Sequence, residues 1–538
     1  MKRQTIFSSL MMLAVLAILC GTTAFPQVLD TYSLDRPYDV VQMNGSKFPE
    51  FTGTPVEELY VYAYHSSTSS WEAIPFQIDE KGTDSYYSPD DGLLDDDDEL
   101  VFMARDLGDL VTPGNWIDDE ASKSNYRYTI RVYDNTNNAK QGWAYLYKSS
   151  TLTQASRKSY MNYDYQNDRV ISDFFEAGYN TNGVLTDFVI TAENGGNGTD
   201  ILDRQKIRLA GLLGPGMEYE MNEDSIRKAE INYIAGPVRV IRRIRNNIIV
   251  AGDTLFHDLK MTSRFHPFSM DYSGHANFIE QQGVGLVRQS WDFNANASGM
   301  KFHSTSNRNI VVDGASDGTL DDSLTHYALN WMMVTGNPGT IYAVNDLSFV
   351  GSSQRLYYWD SSSGKTGDDT HDTGDNKSYG DMGIIIKGYR IRDTLDFKST
   401  IFFLPANQNA DIGEPMQTDF ANPLLTLTSY GSFRVGVADA KDHSQPREFY
   451  FFPNHPNPFN SSTSLKFDLP EKAYVRLRIM NILGQTIQTL VDKSLTAGQH
   501  HLIWNGTDSH GNDVVSGVYF SVLEADNYHA IRKLILIK

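Results

Sequence analysis

Cysteine is almost absent from this 538-residue chain; the only one is Cys20. Disulfides, thiol nucleophiles, cysteine-bound haem and zinc–thiolate centres are therefore excluded from the body of the protein. Past the first two dozen residues no apolar run is long enough to span a bilayer as a helix. Helical periodicity is scarce, and Ser323 to Met333, preceded by acids that would cap it, is the best short candidate. Positive charge is also in deficit. Forty-six Lys and Arg against 67 Asp and Glu leave a net charge of −21, which argues against nucleic acid and anionic membranes as partners. There is no HExxH and no dinucleotide fingerprint. Gly364-Lys-Thr366 has Trp359 where a P-loop has its first glycine. Gly314-Ala-Ser-Asp-Gly318 spells GxSxG, but an acidic turn follows where a nucleophile elbow needs a helix.

The chain opens with Met1-Lys-Arg3, an apolar core from Ile6 to Leu19 and small residues at Thr22-Thr-Ala24. That pattern reads as a secretory signal peptide over 1–24, cleaved after Ala24. Leu19 stands where lipidation of Cys20 would need a small residue. The remainder carries 30 Tyr, 27 Phe and 7 Trp, residues that favour sheets and bury large areas. Its length calls for two or three cores. An all-β, multidomain protein of β-sandwiches is expected.

Residues 25–151 read as an N-terminal β-domain with strands at Glu58–Tyr64, Trp71–Asp79 (Pro75 at an edge or bulge), Glu99–Ala104, Tyr126–Tyr133 and Gly142–Tyr147. Between the second and third, Ser88 to Glu99 packs seven acids. Crowded carboxylates are either solvated or neutralised by a hard cation such as Ca²⁺, with Asp91, Asp95 and Asp98 as ligands around Gly92. Tyr87 and Pro89 occupy the first two ligand positions of a helix-loop-helix calcium register and cannot serve. Calcium is the one cofactor the chain suggests; no organic cofactor is indicated. Pro75 to Glu80, Asp98 to Phe102 and Arg105 to Gly108 resemble the N-terminal domain of uncharacterised secreted bacterial β-proteins. They are also weakly similar to β-rich segments of exo-acting polysaccharide lyases. The resemblance spans Trp71 to Gly108 and carries over no catalytic residue.

Residues 152–436 read as a larger β-sandwich, with strands at Gly183–Thr191, Gln205–Leu209, Ala229–Ile234, Val238–Asn246, Leu259–Phe265, Thr340–Val344, Met382–Ile386 and Thr400–Phe403. Arg239 and Arg243 fall on one face of their strand and Arg242 on the other. Guanidinium forks suit the carboxylates of an acidic sugar, and suit equally an internal salt-bridge ladder. Arg264, His266, Tyr272 and His275 make the most catalytic-looking cluster. His and Tyr can supply base and acid for β-elimination, with Arg neutralising the substrate carboxylate; a surface loop is the other reading. Tyr357, Tyr358 and Trp359 can stack on sugar rings. Asp368, Asp372 and Asp375 in the following Gly-Asp loop are candidate Ca²⁺ ligands, or part of a polar loop.

Residues 437–455 form a polar, proline-punctuated linker. In 456–538, Leu465, Phe467 and Leu469, then Val475, Leu477 and Ile479, alternate with polar residues, and short strands are separated by turn pairs. Pro456-Asn-Pro-Phe-Asn460, the Ile482-Leu-Gly-Gln485 turn, Ala497 to Phe520 and the terminal Lys533 to Lys538 resemble the type A sorting domain of type IX secretion substrates. That domain is an Ig-like sandwich similar to the one in flagellar hook-capping proteins. The resemblance implies the type IX secretion machinery as partner and a secreted or cell-surface destination. The sequence thus supports a non-catalytic carbohydrate- or surface-binding protein. The alternative is a polysaccharide-active enzyme, foremost a lyase on acidic glycan.

Overall fold

The computed structural model describes residues 30–81, 91–153, 158–213, 218–250, 253–277, 282–317, 330–346, 353–363, 373–391, 394–433 and most of 449–537. The signal segment, most of the linker, and Asp368 and Asp372 lie outside the described residues. Strands make up 57% and helix 8%, so the chain is all-β, as its alternation requires.

Two sheets build the N-terminal unit. One orders Val40–Asn44, Glu99–Met103 and Phe76–Asp79. The other orders Leu425–Ser432, Tyr126–Tyr133, Gln141–Lys148, Leu59–His65 and Ser70–Ala73. Alternation directs Val41, Met43, Phe76, Leu100 and Phe102 of the first against Val61, Ile130, Val132 and Leu146 of the second. The single strand expected over Trp71–Asp79 is two strands in different sheets. Pro75 sits at the corner, where the absent N–H breaks the ladder. Leu425–Ser432, read above as part of the middle unit, pairs instead with Tyr126–Tyr133 and closes that sheet's edge. Buried Arg36 ties the return in place, donating from Nη1 to the carbonyl of Asn422 (2.7 Å).

The middle unit is a sandwich. A nine-stranded sheet runs in the order Ile226–Ala235, Val240–Val250, Asp253–His266, Ser269–Asn277, Thr394–Leu404, Gly339–Asp346, Asn330–Gly336, Lys301–Ser304 and Ile310–Val311. Facing it is a five-stranded sheet of Glu218–Met221, Leu202–Leu213, Gln282–Phe293, Ser378–Ile391 and Ser353–Ser361. A four-stranded sheet within Met161–Ile190 packs into the same core. Trp291, Phe293, Phe265, Met270, Ile401 and Phe403 fill the interior, and Phe175 stacks on Phe403 with centroids 4.0 Å apart. Each such side chain contributes about 1.5–3 kcal/mol by leaving water. The helix expected at Ser323–Met333 is not formed over its described part. Asn330–Gly336 is a strand buried along its whole length, paired with Gly339–Asp346. Burial on both faces suits an extended apolar run, and local periodicity does not distinguish the two.

The C-terminal module sets Tyr450–Phe451, Thr463–Leu469 and Gly498–Trp504 against Thr486–Leu495, Ala473–Asn481, Gly517–Ala525 and Tyr528–Leu536. Trp504 lies buried at its centre against Phe459 and Tyr519. Tyr450–Phe451, read above as linker, is its first strand, and Phe451 is fully buried. Among the described residues no helix is long and apolar enough to cross a membrane.

Candidate functional site

The hairpin Asp253–His266 to Ser269–Asn277 carries the residues expected to act on a sugar acid. Its register pairs Ser263 with Tyr272, Arg264 with Asp271 and His266 with Ser269. Paired residues share a face and successive residues alternate, so His266 and Tyr272 point to opposite faces. Tyr272 enters the sandwich core, and His266 faces the N-terminal unit. The sequence cluster is therefore not one site. Burial pulls the His266 imidazole down to about 4, with Arg239 and Arg264 adding to the effect and Asp271 and Glu99 opposing it. Burial raises the Tyr272 phenol, against a hydrogen bond with Gln205. Arg264 is half-buried on the His266 face, and Asp271 opposite it accepts from Thr400 Oγ1 (2.7 Å). His275 pairs in register with Lys260 and Asp396, six rungs from the His266–Ser269 pair at the turn.

The basic strand is spent on internal pairs. Arg239 is fully buried where the N-terminal unit meets the sandwich. It donates from Nε to Asp79 (2.7 Å), from Nη2 to Glu99 (2.8 Å) and from Nη1 to Gln42 (3.1 Å), and its backbone N–H reaches Gln77 (2.9 Å). Arg242, on the other face, makes a bidentate bond to Asp168 (2.7 and 2.6 Å) and lies 3.6 Å over the Tyr179 ring. Tyr163 and Lys228 also donate to Asp168. Arg243 shares the Arg239 face but is separated from it by buried Ile241.

The acids of the first loop act on backbone. Asp98 is buried and accepts from the N–H groups of Lys81 (3.1 Å) and Asp95 (2.7 Å); burial still pushes its carboxyl up to about 6. Asp91 accepts from Leu93 N–H (2.9 Å), and Asp375 from Lys377 N–H (2.8 Å). Among the described residues no group of three or more His, Cys, Asp or Glu side chains converges as a metal site.

The aromatic strand Ser353–Ser361 divides its residues. Tyr358 turns inward and stacks on Phe302 at 4.0 Å. Tyr357 and Trp359 turn to the outer face of the five-stranded sheet, and both are half-buried. Register lays three rows across that face: Arg204, Asp292, Asp381, Trp359; then Lys206, Ser290, Gly383, Tyr357; then Arg208, Arg288, Ile385, Arg355. Lys206 bonds Asp292 (2.8 Å) and the carbonyl of Thr373 (2.6 Å). Arg208 and Thr373 both bond Glu223. Arg288 donates to the Tyr357 hydroxyl (2.9 Å), lies 4.5 Å over its ring, and approaches Asp381 at 4.0 Å. Ser378 Oγ donates to Asp292 (2.6 Å). Sequence reasoning found the two aromatics and missed the ions beside them. Their signal was present in Arg204-Gln-Lys-Ile-Arg208 and Arg288-Gln-Ser-Trp-Asp292, strands that place charges at 204, 206 and 208 and at 288 and 292 in period two.

Residues 456–528 match the FlgD Ig-like domain family model, in agreement with the seven-stranded C-terminal sandwich. No curated protein matches the chain. Similar solved structures include an α-mannosidase from Enterococcus faecalis V583, 10% identical over 88% of this chain and 54% of that one, with a TM-score of 0.39. The chain spans about half the length of that enzyme. PorZ of Porphyromonas gingivalis, a surface component of the type IX secretion system, is 9% identical over 74% of this chain and 64% of that one, at a TM-score of 0.13. PorU of the same organism is 13% identical over 69% and 32%, at 0.16.

Proposed function

We propose that this is a secreted or cell-surface protein, exported by type IX secretion through its C-terminal Ig-like module, whose body binds carbohydrate without transforming it. The observation that carries the binding role is the outer face of the five-stranded sheet, where Tyr357 and Trp359 flank a layer of ionic and hydroxyl side chains. Aromatic rings beside fixed polar groups are the means by which proteins hold sugars. The separation of His266 from Tyr272 supports a non-catalytic role.

The test is expression of the full chain, with and without its C-terminal module, in a host with intact or deleted type IX machinery, followed by glycan binding at the cell surface. Export that ignores both deletions rejects the sorting role. A second reading, a lyase on acidic glycan, is favoured by the Arg288–Tyr357 hydrogen bond, since a guanidinium stabilises a phenolate acting as base. Unsaturated product from an acidic polysaccharide, lost in Tyr357→Phe, would establish it.

A further inference from the structure

On the outer face of the five-stranded sheet the side chains dip in size at the centre. Ser290 and Gly383 face each other in the middle row, between Lys206 and Tyr357. Above and below them stand the long side chains of Asp292, Asp381, Trp359 and Arg288. Gly383 is confined to hydrogen, because a Cβ there would lie 2.1 Å from the Gln289 carbonyl oxygen and 2.5 Å from Ser290 Cβ. Two polar atoms in this dip have no hydrogen-bond partner. Ser290 Oγ belongs to a fully buried residue, and Trp359 Nε1 is itself buried. Buried polar groups are almost always paired, so a hydroxyl and an indole N–H left over in one dip mark a place for a polar ligand.

The charges decide which ligand. Lys206 has Asp292, Arg208 has Glu223, and Arg288 has Asp381. These three buried cations are each paired, so a uronate or sulfate among them would have to displace a carboxylate from its buried cation, which is costly. Sugar hydroxyls do not. They donate to Asp292 and Asp381, accept from Ser290, Trp359 and Arg288, and leave every ion pair in place. Thr373, held by Lys206 and Glu223, closes one end of the row, and half-buried Tyr357 and Trp359 stand at the other. We infer that the dip is a subsite for one residue of an uncharged glycan, entering past Tyr357 and Trp359. This rests on the binding role proposed above and replaces the acidic sugar suggested by the basic strand.

The experiment titrates the full-length protein by calorimetry with neutral oligosaccharides (β-glucan, mannan and xylan fragments) and with anionic ones (alginate, pectate and chondroitin sulfate fragments). Binding of a neutral fragment is expected, unchanged at high salt. Trp359→Ala should weaken it about tenfold, the worth of one aromatic contact, and Ser290→Ala less. Asp381→Asn, which keeps the shape, should also weaken it, and thermal melting confirms each variant is folded. Preference for anionic fragments, with salt sensitivity, overturns the ligand class. Neutral binding that survives both Trp359→Ala and Asp381→Asn overturns the site while the binding role stands. No binding by any fragment overturns both.

Discussion

Arg239 and Arg288 are both buried in ionic layers on outward faces of the middle sandwich, at 0% and 2% exposure. Their surroundings differ. Around Arg239 three strands of another unit supply the acceptors, and each guanidinium nitrogen is matched to Asp79, Glu99 or Gln42. The layer fixes the angle between two units. Around Arg288 the partners belong to the same sheet, and Ser290 and Trp359 are left with groups unmatched. A satisfied layer between units is a joint; an unsatisfied layer on one sheet is where the proposed ligand would bind.

The largest effect should come from breaking the joint. Arg239→Met leaves Asp79 buried without its cation and Glu99 with Lys81 alone, and should cost about 3–5 kcal/mol in denaturant unfolding. Burial already pushes the Asp79 carboxyl up, with Arg239 the main counterweight, so adding Asp79→Asn should recover part of the loss. A variant as stable as the parent would show that the joint is ornamental and erase the contrast with Arg288.

Adjacent residues sharpen it next. Tyr358→Ala removes a partly buried ring stacked against the core and should cost about 3 kcal/mol by opening a cavity. Tyr357→Phe, one residue away on the outer face, removes a hydroxyl held by Arg288 and should cost about 1 kcal/mol. Equal losses in calorimetric melting would mean both faces of this strand are structural.

A third joint, inside the sandwich, predicts a pH response. Burial alone would raise the Asp168 carboxyl, but Arg242 outweighs it, aided by Tyr163 and Lys228, and holds it at about 2. Its folded value lies below the unfolded one near 3.9, so its stabilisation is present above that value and is lost as pH falls toward about 2. Between about pH 5 and pH 2 the parent should lose 1–2 kcal/mol more than Asp168→Asn does in unfolding measurements at each pH.

Much of this architecture is legible in the sequence. Every strand expected in the middle domain is present, because period-two alternation is a local property. The C-terminal module is legible for the same reason, except for Tyr450–Phe451, whose two residues are too few to alternate. What was not legible is long-range. Arg239 and Asp79 are 160 residues apart, and no spacing rule connects them. The His266–Tyr272 cluster misled because closeness along the chain suggested closeness in space. The hairpin register instead sends the two side chains to opposite faces. The outer face was half legible: Tyr357 and Trp359 stand out as aromatics, whereas Asp292 and Asp381 meet only when two distant strands pair.

The smallest expected effect bears most directly on the contrast. Ser378 and Ser290 are both fully buried serines on neighbouring strands of the five-stranded sheet. Ser378 Oγ donates to the Asp292 carboxylate at 2.6 Å, a bond to a charged group, so Ser378→Ala should cost about 1.5–3 kcal/mol. Ser290 Oγ has no protein partner, so its removal forfeits no bond and relieves a buried, unmatched hydroxyl. Ser290→Ala should be neutral, or more stable by up to about 1 kcal/mol, in the ligand-free protein. A loss as large as that of Ser378→Ala would mean the hydroxyl is satisfied within the fold. The outer face would then be a joint like that of Arg239. A gain in stability paired with weaker ligand binding is what a residue kept for its ligand must show, since only a bound partner can offset the standing cost of an unpaired hydroxyl.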